Sequence, residues 1–180
     1  MLRKMSIIPV LILSFIFTLS AQRTKEMPNF DSYRKNIYAE FLGSSLLAGV
    51  NFDMRLNKGR NDGIGFRVGL GGVSLRSADG VVGLVSLPIE FNNIVGKRHG
   101  GFEAGVGLLP VYGTISGSTN DDKFVFKEGV TLAGGFLTFG YRFQPINNGF
   151  MFQVHWNPMI IRGSGFTMGW FGLGVGVGFK

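Results

Sequence analysis

The chain has 180 residues, no cysteine, a formal charge of +7 and a mean hydropathy of +0.24. That length fits one domain, and the lack of cysteine excludes a disulfide scaffold. Charged residues are only 16% beside 29 glycines and 18 phenylalanines, a balance unlike that of an ordinary soluble domain. The N-terminus reads as a secretory signal over residues 1–21. Arg3 and Lys4 form a positive start, Ile7 to Leu19 an apolar run, and Ala21 a small residue at which cleavage precedes Gln22. The run is shorter than the about 20 apolar residues of a spanning helix. Loss of Arg3 and Lys4 lowers the formal charge to +5. An exported, mildly basic chain is not expected to meet nucleic acid. No second long apolar run follows, so the chain is apolar without being a helical membrane protein. Residues 22–35 lack alternation and are expected to form a periplasmic lead-in.

From residue 36 to residue 180 hydrophobicity alternates with period two, which sorts side chains to the two faces of strands and not around a helix. Strand one, Ile37 to Leu42, sets Ile37, Ala39 and Phe41 against Tyr38 and Glu40. Strand two, Leu46 to Asn57, sets Leu46, Ala48, Val50, Phe52, Met54 and Leu56 against a row holding Asn51, Asp53 and Arg55. Strand three, Ile64 to Gly72, sets Ile64, Phe66, Val68 and Leu70 against a row holding Arg67 and three glycines. Strand four sets Val85, Leu87, Ile89 and Phe91 against Ser86, Pro88, Glu90 and Asn92. Strand five sets Phe102, Ala104, Val106 and Leu108 against Glu103, Gly105 and Gly107. Strand six sets Ala133, Gly135, Leu137, Phe139, Tyr141 and Phe143 against Gly134, Thr138, Gly140 and Arg142. Strand seven sets Phe150, Phe152, Val154 and Trp156 against Met151, Gln153, His155 and Asn157. Strand eight sets Phe171, Leu173, Val175, Val177 and Phe179 against four glycines, Gly172, Gly174, Gly176 and Gly178.

Every charge inside these strands lies on the second row. Lipid on one side and a closed interior on the other would demand that sorting. The expected fold is therefore all-β: an eight-stranded antiparallel transmembrane up-and-down β-barrel. Turn residues punctuate it. Asn57–Gly63, Asn93–Gly100 and Gln144–Gly149 are expected at the periplasmic end with both termini. Gly43–Ser45, Leu75–Val82, Gly113–Glu128 and Ile161–Gly165 are expected as outward-facing loops, Gly113–Glu128 being the longest.

An eight-stranded interior is just wide enough for side chains to fill it. The inward charges Glu40, Asp53, Glu90, Glu103, Arg55, Arg67 and Arg142 nearly cancel, so they are expected to pair into one network, with the inward glycines making room for the arginines. His155 is expected to join them as a polar filler. This network, structural or gating, is the candidate site; no catalytic, cofactor or metal residues are expected. The glycine run of the last strand lacks phosphate-loop spacing.

The arrangement resembles the small eight-stranded outer-membrane proteins of Gram-negative bacteria, the OmpA transmembrane domain and OmpX among them, over about Ile37 to Phe179. The resemblance implies an outer-membrane location, contact with outer-membrane lipid and lipopolysaccharide, and insertion by the barrel-assembly machinery, which reads a C-terminal strand ending in an aromatic residue. Here Lys180 follows Phe179, a departure from that pattern. It further implies a structural or surface-interaction role with an unnamed surface ligand. A narrow transport pore is the alternative. A lipid A-modifying enzyme would need a serine and a carboxylate on His155, for which Glu103 and Ser164 are the candidates. A secreted lipocalin-like binder would turn the charged row outward. His99 falls in a basic turn on the periplasmic side.

Overall fold

The computed structural model describes residues 33–77, 80–97, 99–118 and 124–180. The expected signal at 1–21 and residues 22–32 of the lead-in lie outside them. The described chain is nine strands: β1 (Lys35–Leu42), β2 (Ala48–Arg55), β3 (Gly63–Ser77), β4 (Gly80–Ser86), β5 (Ile89–Lys97), β6 (Gly100–Ser118), β7 (Phe124–Phe143), β8 (Gly149–Ile161) and β9 (Gly165–Phe179). All neighbours are antiparallel, and β1 closes on β9 from Lys35↔Phe179 to Leu42↔Gly172. The sheet therefore has no lateral edge over most of its height and forms a closed barrel.

Nine strands make eight staves, because β4 and β5 are two halves of one. Both lie between β3 and β6, and the register runs unbroken across Leu87 and Pro88, from Gly71↔Ser86 to Val68↔Ile89. Proline has no N–H to give the ladder, so regular pairing lapses for two residues. Backbone bonds from Gly69 to the Pro88 carbonyl and from Leu87 to the Pro110 carbonyl, both 2.9 Å, hold the stave together. Two other prolines mark irregularities. The β6–β7 register shifts between Leu109 and Pro110, and the β8–β9 register shifts between Asn157 and Met159, around Pro158. Across β7 the register sets Leu137 opposite Pro158. The Leu137 carbonyl is instead bonded by the Asn157 side-chain amide at 3.1 Å. On β9 the bulge brings Gly169, at φ +62°, so close to the Asn157 carbonyl that a Cβ there would collide with it.

The two rows face as the alternation requires. Phe41, Val50, Leu70, Phe91, Phe102, Tyr141, Phe150, Phe171 and Leu173 are each at least half exposed on the outside, while Glu40, Asp53, Arg55, Arg67, Glu90 and Arg142 have no exposed surface at all. This is the reverse of the lipocalin-like arrangement. Four inward glycines make the inner face of β9 flat, against His155, Gln153, Tyr38 and Arg34 of the neighbouring elements.

The ends differ from expectation. At the terminal end, which gathers both ends of the barrel with the turns after β2, β5 and β7, connections are short. At the hairpin end three expected loops are not loops. Much of Leu75–Val82 is ladder, paired Leu75↔Val82, Arg76↔Val81 and Ser77↔Gly80. Gly113–Glu128 is largely strand, with β6 and β7 paired outward as far as Ser118↔Phe124. Its Thr, Ile, Val and Phe content suits strand as well as loop, and turn residues such as Gly117 and Gly129 are tolerated inside the pairing. Gly43–Ser45 forms a single 3-10 turn that is buried within the barrel and does not face outward. Leu46, expected on the outer row of strand two, belongs to this turn and packs inward.

Candidate functional site: the filled lumen

The strands bring all eight predicted interior residues into the lumen, in two ion-paired clusters and a third group around Glu40. At the centre of the first cluster Asp53 (β2) accepts from Arg55 at 2.6 Å and from Arg142 (β7) at 2.7 Å. Arg142 also grips both oxygens of Glu103 (β6), at 3.0 Å through Nε and 2.6 Å through Nη2. Asn92 (β5) links the two carboxylates, donating to each at 2.9 Å, and accepts from Arg55 at 2.5 Å. A forked guanidinium matched to a carboxylate is the strongest form of such a pair, and burial leaves it unscreened.

A second cluster lies beside the first. Arg67 (β3) pairs with Glu90 (β5) and donates to the Tyr38 hydroxyl at 3.0 Å. Thr138 (β7) donates to Glu90 at 3.1 Å and accepts from Asn157 (β8) at 2.9 Å. Tyr38 also lies under the Arg142 guanidinium, 5.9 Å from it, and so touches both clusters.

Glu40 (β1) is held differently. Among the described residues no guanidinium reaches it within ion-pair distance. Its carboxylate is bonded by the Ser44 N–H at 3.0 Å, the hydroxyls of Ser44 at 3.2 Å and Ser45 at 3.0 Å, and the Asn51 amide at 2.6 Å. His155 Nε2 lies 3.0 Å away. Two of these partners belong to the tucked 3-10 turn, so Glu40 is what draws that turn into the lumen. Trp170 (β9) fixes it from the other side, donating to the Gly43 carbonyl at 2.6 Å. Both hinges of the turn are strained: Leu42 (φ 61°, ψ −149°) and Leu46 (φ 68°, ψ −107°) occupy backbone regions that favour glycine.

The serine relay that a lipid A-modifying enzyme would need is not assembled. Glu103 is taken by Arg142, and His155 bonds Glu40 and neither Glu103 nor Ser164. Ser44 and His155 are bonded in parallel to one carboxylate, whereas a relay needs serine, histidine and acid in series.

Three features of the site escaped the reading of the rows. The bonding role of the polar fillers is one: Asn51, Asn92 and Thr138, already read on the inward rows, and Arg34 and Asn36 outside them carry much of it. At the terminal mouth Arg34 turns inward and donates to the Asn147 carbonyl at 2.8 Å, while Gln144 bonds the Asn61 carbonyl. At the hairpin end the lumen is apolar: Leu109, Val111, Phe136 and Met159 form a buried cluster, with Leu46, Leu84 and Ile161 packed on it. Each of the four sits on the inward parity of its strand, so extending the inward rows would have found them.

A closed ring of eight staves, apolar outside and charge-paired inside, has the fold of the small eight-stranded outer-membrane barrels. No family model and no curated protein matches the chain. Two solved structures do. The N-terminal β-barrel domain of Pseudomonas aeruginosa OprF is 15% identical with a TM-score of 0.48, over 84% of this chain and 98% of that one. Ail, the attachment invasion locus protein of Yersinia pestis, solved with the heparin analogue sucrose octasulfate, is 15% identical with a TM-score of 0.48, over 85% and 100%. At this identity and with TM-scores below 0.5, neither likeness carries an argument about this chain.

Proposed function

We propose that this chain is an integral outer-membrane barrel of a Gram-negative bacterium, with a structural and surface-interaction role and a lumen that does not conduct. The observation that carries the reading is a filled lumen beneath a sheet that outruns the barrel. β2 stops pairing with β3 at Ala48↔Gly72, and β8 stops pairing with β7 at Gly134↔Ile161. Beyond those points β3, β4, β6 and β7 continue as a four-stranded sheet. Its outer strands are paired on one side only among the described residues, from Val73 to Ser77 on β3 and from Phe124 to Leu132 on β7. Such edges present a row of backbone donors and acceptors, to which an extended segment of a partner adds as a further strand.

The outer apolar surface supports the membrane placement. On β9 it runs from Phe166 to Phe179, roughly 30 Å along the membrane normal for a strand tilted as barrel strands are. The Arg34–Gln144 closure at one mouth, the paired charges in the middle and the apolar cluster at the other mouth leave an ion no continuous polar path.

Two measurements test this. Refolded protein in a planar bilayer is expected to insert and stay electrically silent. Steady salt-dependent openings would overturn the sealed reading and put transport in its place. In intact cells, Ser164→Cys is expected to react with a membrane-impermeant thiol reagent and Asn148→Cys is not. Reaction of Asn148→Cys alone would invert the orientation and remove the projecting sheet from the cell surface.

A further inference from the structure

The register of the β1–β2 hairpin permits a second position for its turn. The ladder is regular to Phe41↔Ala48, and the Leu42 N–H still bonds the Leu47 carbonyl at 2.8 Å. Continued by one pair, the same register sets Gly43 opposite Leu46 and leaves Ser44–Ser45 as a two-residue turn, a common hairpin length. Leu42 and Leu47 have the parity of the inward row, so in a straight hairpin they point over the lumen mouth. In the tucked position they are instead 45% and 53% exposed, and Leu42 and Leu46 sit at φ 61° and 68°. Tucking thus strains two hinges and bares two leucines, offset by the bonds that Ser44 and Ser45 give Glu40.

Straightening would uncover a polar vestibule. Part of the wall around the turn is glycine. A Cβ on Gly49 or Gly71 would meet Ser45 Cβ at 2.7 or 2.8 Å, and one on Gly172 would meet Gly43 Cα at 2.9 Å. Those positions send no side chain into the volume that the turn takes. Acceptors line its floor. Glu40 is fully buried, and Ser44 stands between it and Arg67, accepting from Arg67 at 3.4 Å. Asn157 Oδ1 is buried and has no partner among the described residues. Its direction is fixed, because the bond to the Leu137 carbonyl at 3.1 Å can be made only by the amide nitrogen. That oxygen aims at the turn: a Cβ on Gly43 would meet it at 3.1 Å, beside Glu40 Oε1 and His155 Nε2. A buried carboxylate and an amide oxygen converging on one point suit a planar cation with several N–H donors.

We propose that the turn is a latch over a cation site: straightened, it admits a small guanidinium compound from the medium at the hairpin end to Glu40 and Asn157 Oδ1. The ligand then supplies the donors that Ser44 and Ser45 supply in the tucked position. The two ion-paired clusters stay in place, and the site is independent of which way the barrel faces.

The test uses the refolded full chain in detergent micelles, where both mouths meet the medium, with methylguanidinium as the probe. The chain has no cysteine, so Ser45→Cys supplies a single thiol, buried while the turn is tucked. Its labelling by a water-soluble maleimide is expected to quicken saturably, by about tenfold or more, as the probe draws the population to the straight position. Urea, planar but neutral, and tetramethylammonium, charged but without donors, are expected to change nothing at the same concentrations. Trp156→Phe leaves Trp170, whose bond to the Gly43 carbonyl breaks when the turn leaves, and its emission is expected to titrate with the probe. Glu40→Gln is expected to remove both responses. Leu42→Gly relieves a hinge of the tucked position and is expected to raise the midpoint about fivefold. Labelling and emission that do not change with methylguanidinium would overturn the proposal. So would an equal response to urea, or a response that survives in Glu40→Gln. Should Glu40→Gln not fold, as scored by gel mobility before and after heating, the Leu42→Gly midpoint decides: one that stays put or falls would overturn the latch.

Discussion

Arg142 is the residue on which the Asp53–Glu103 cluster turns, and its replacement makes a quantitative test. The Arg142 side chain is fully buried and makes three short bonds, one to Asp53 at 2.7 Å and two to Glu103 at 3.0 and 2.6 Å. Arg142→Met keeps most of the volume and removes the charge, leaving Asp53 and Glu103 with Arg55 as the one remaining guanidinium of this cluster. Breaking a buried pair from one side costs about 3–5 kcal/mol, because the abandoned charge has no water to return to. Adding Glu103→Gln restores charge parity: Asp53 keeps Arg55 at 2.6 Å, and the new amide still accepts from Asn92. The double variant is therefore expected to recover about 2 kcal/mol or more of the loss, and so to be more stable than Arg142→Met alone. Urea unfolding from lipid vesicles reads this directly, because both tryptophans of the chain, Trp156 and Trp170, lie in the barrel wall. If the double variant lost the sum of the two single losses, to within about 0.5 kcal/mol, Arg142 and Glu103 would not be coupled and the pairing described here would be wrong.

Further expectations follow from the backbone and from the packing of glycines. Leu42→Gly relieves a conformation open almost only to glycine, and is expected to raise stability by about 1 kcal/mol, seen as a higher urea midpoint. Gly169→Ala is expected to cost roughly 2 kcal/mol or more, since its Cβ meets the Asn157 carbonyl at a positive φ. An unchanged urea midpoint would mean that the bulge around Pro158 is not built as described. Gly174→Leu puts a Cβ 2.6 Å from Gln153 Cγ, and is expected to lose about 1–3 kcal/mol or to stop the barrel from closing, read as loss of the heat-sensitive gel shift. Phe136→Ala empties the middle of the apolar plug, at an expected cost of about 3–5 kcal/mol.

The sequence makes the rows legible because lipid and a packed lumen impose opposite demands on adjacent residues. Within the strands read from the sequence one misplaced charge would break the pattern, and none does; Lys35 and Arg76 share the outward parity only at the ends of β1 and β3. Glu40 through His155 could be named because a charge on the inward row has nowhere else to go. Their partnering could not, since it depends on stagger between strands that parity does not reveal. The hairpin end was least legible. There lipid no longer faces the wall, so alternation weakens and strands resemble loops, as between Gly113 and Glu128. Phe136 and Leu109 belong to the inward row yet are apolar, so they read as exceptions when they mark the change from a polar to a greasy filling. The tucked turn has a short sequence, Gly43–Ser44–Ser45, that any hairpin could use. What pulls it inward is a carboxylate a few residues upstream that no cation claims.

The flat inner face of β9 bears on how such a barrel is finished. The charged pairs come from β2, β3, β5, β6 and β7 and further polar fillers from β1 and β8, whereas along Gly172–Gly178 the last strand turns only glycines to the interior. A cooper fits the final stave most easily when its inner side is smooth. β9 is such a stave: it pairs with Lys35–Leu42 while setting only glycines toward the lumen from Gly172 to Gly178, and its outer face is apolar.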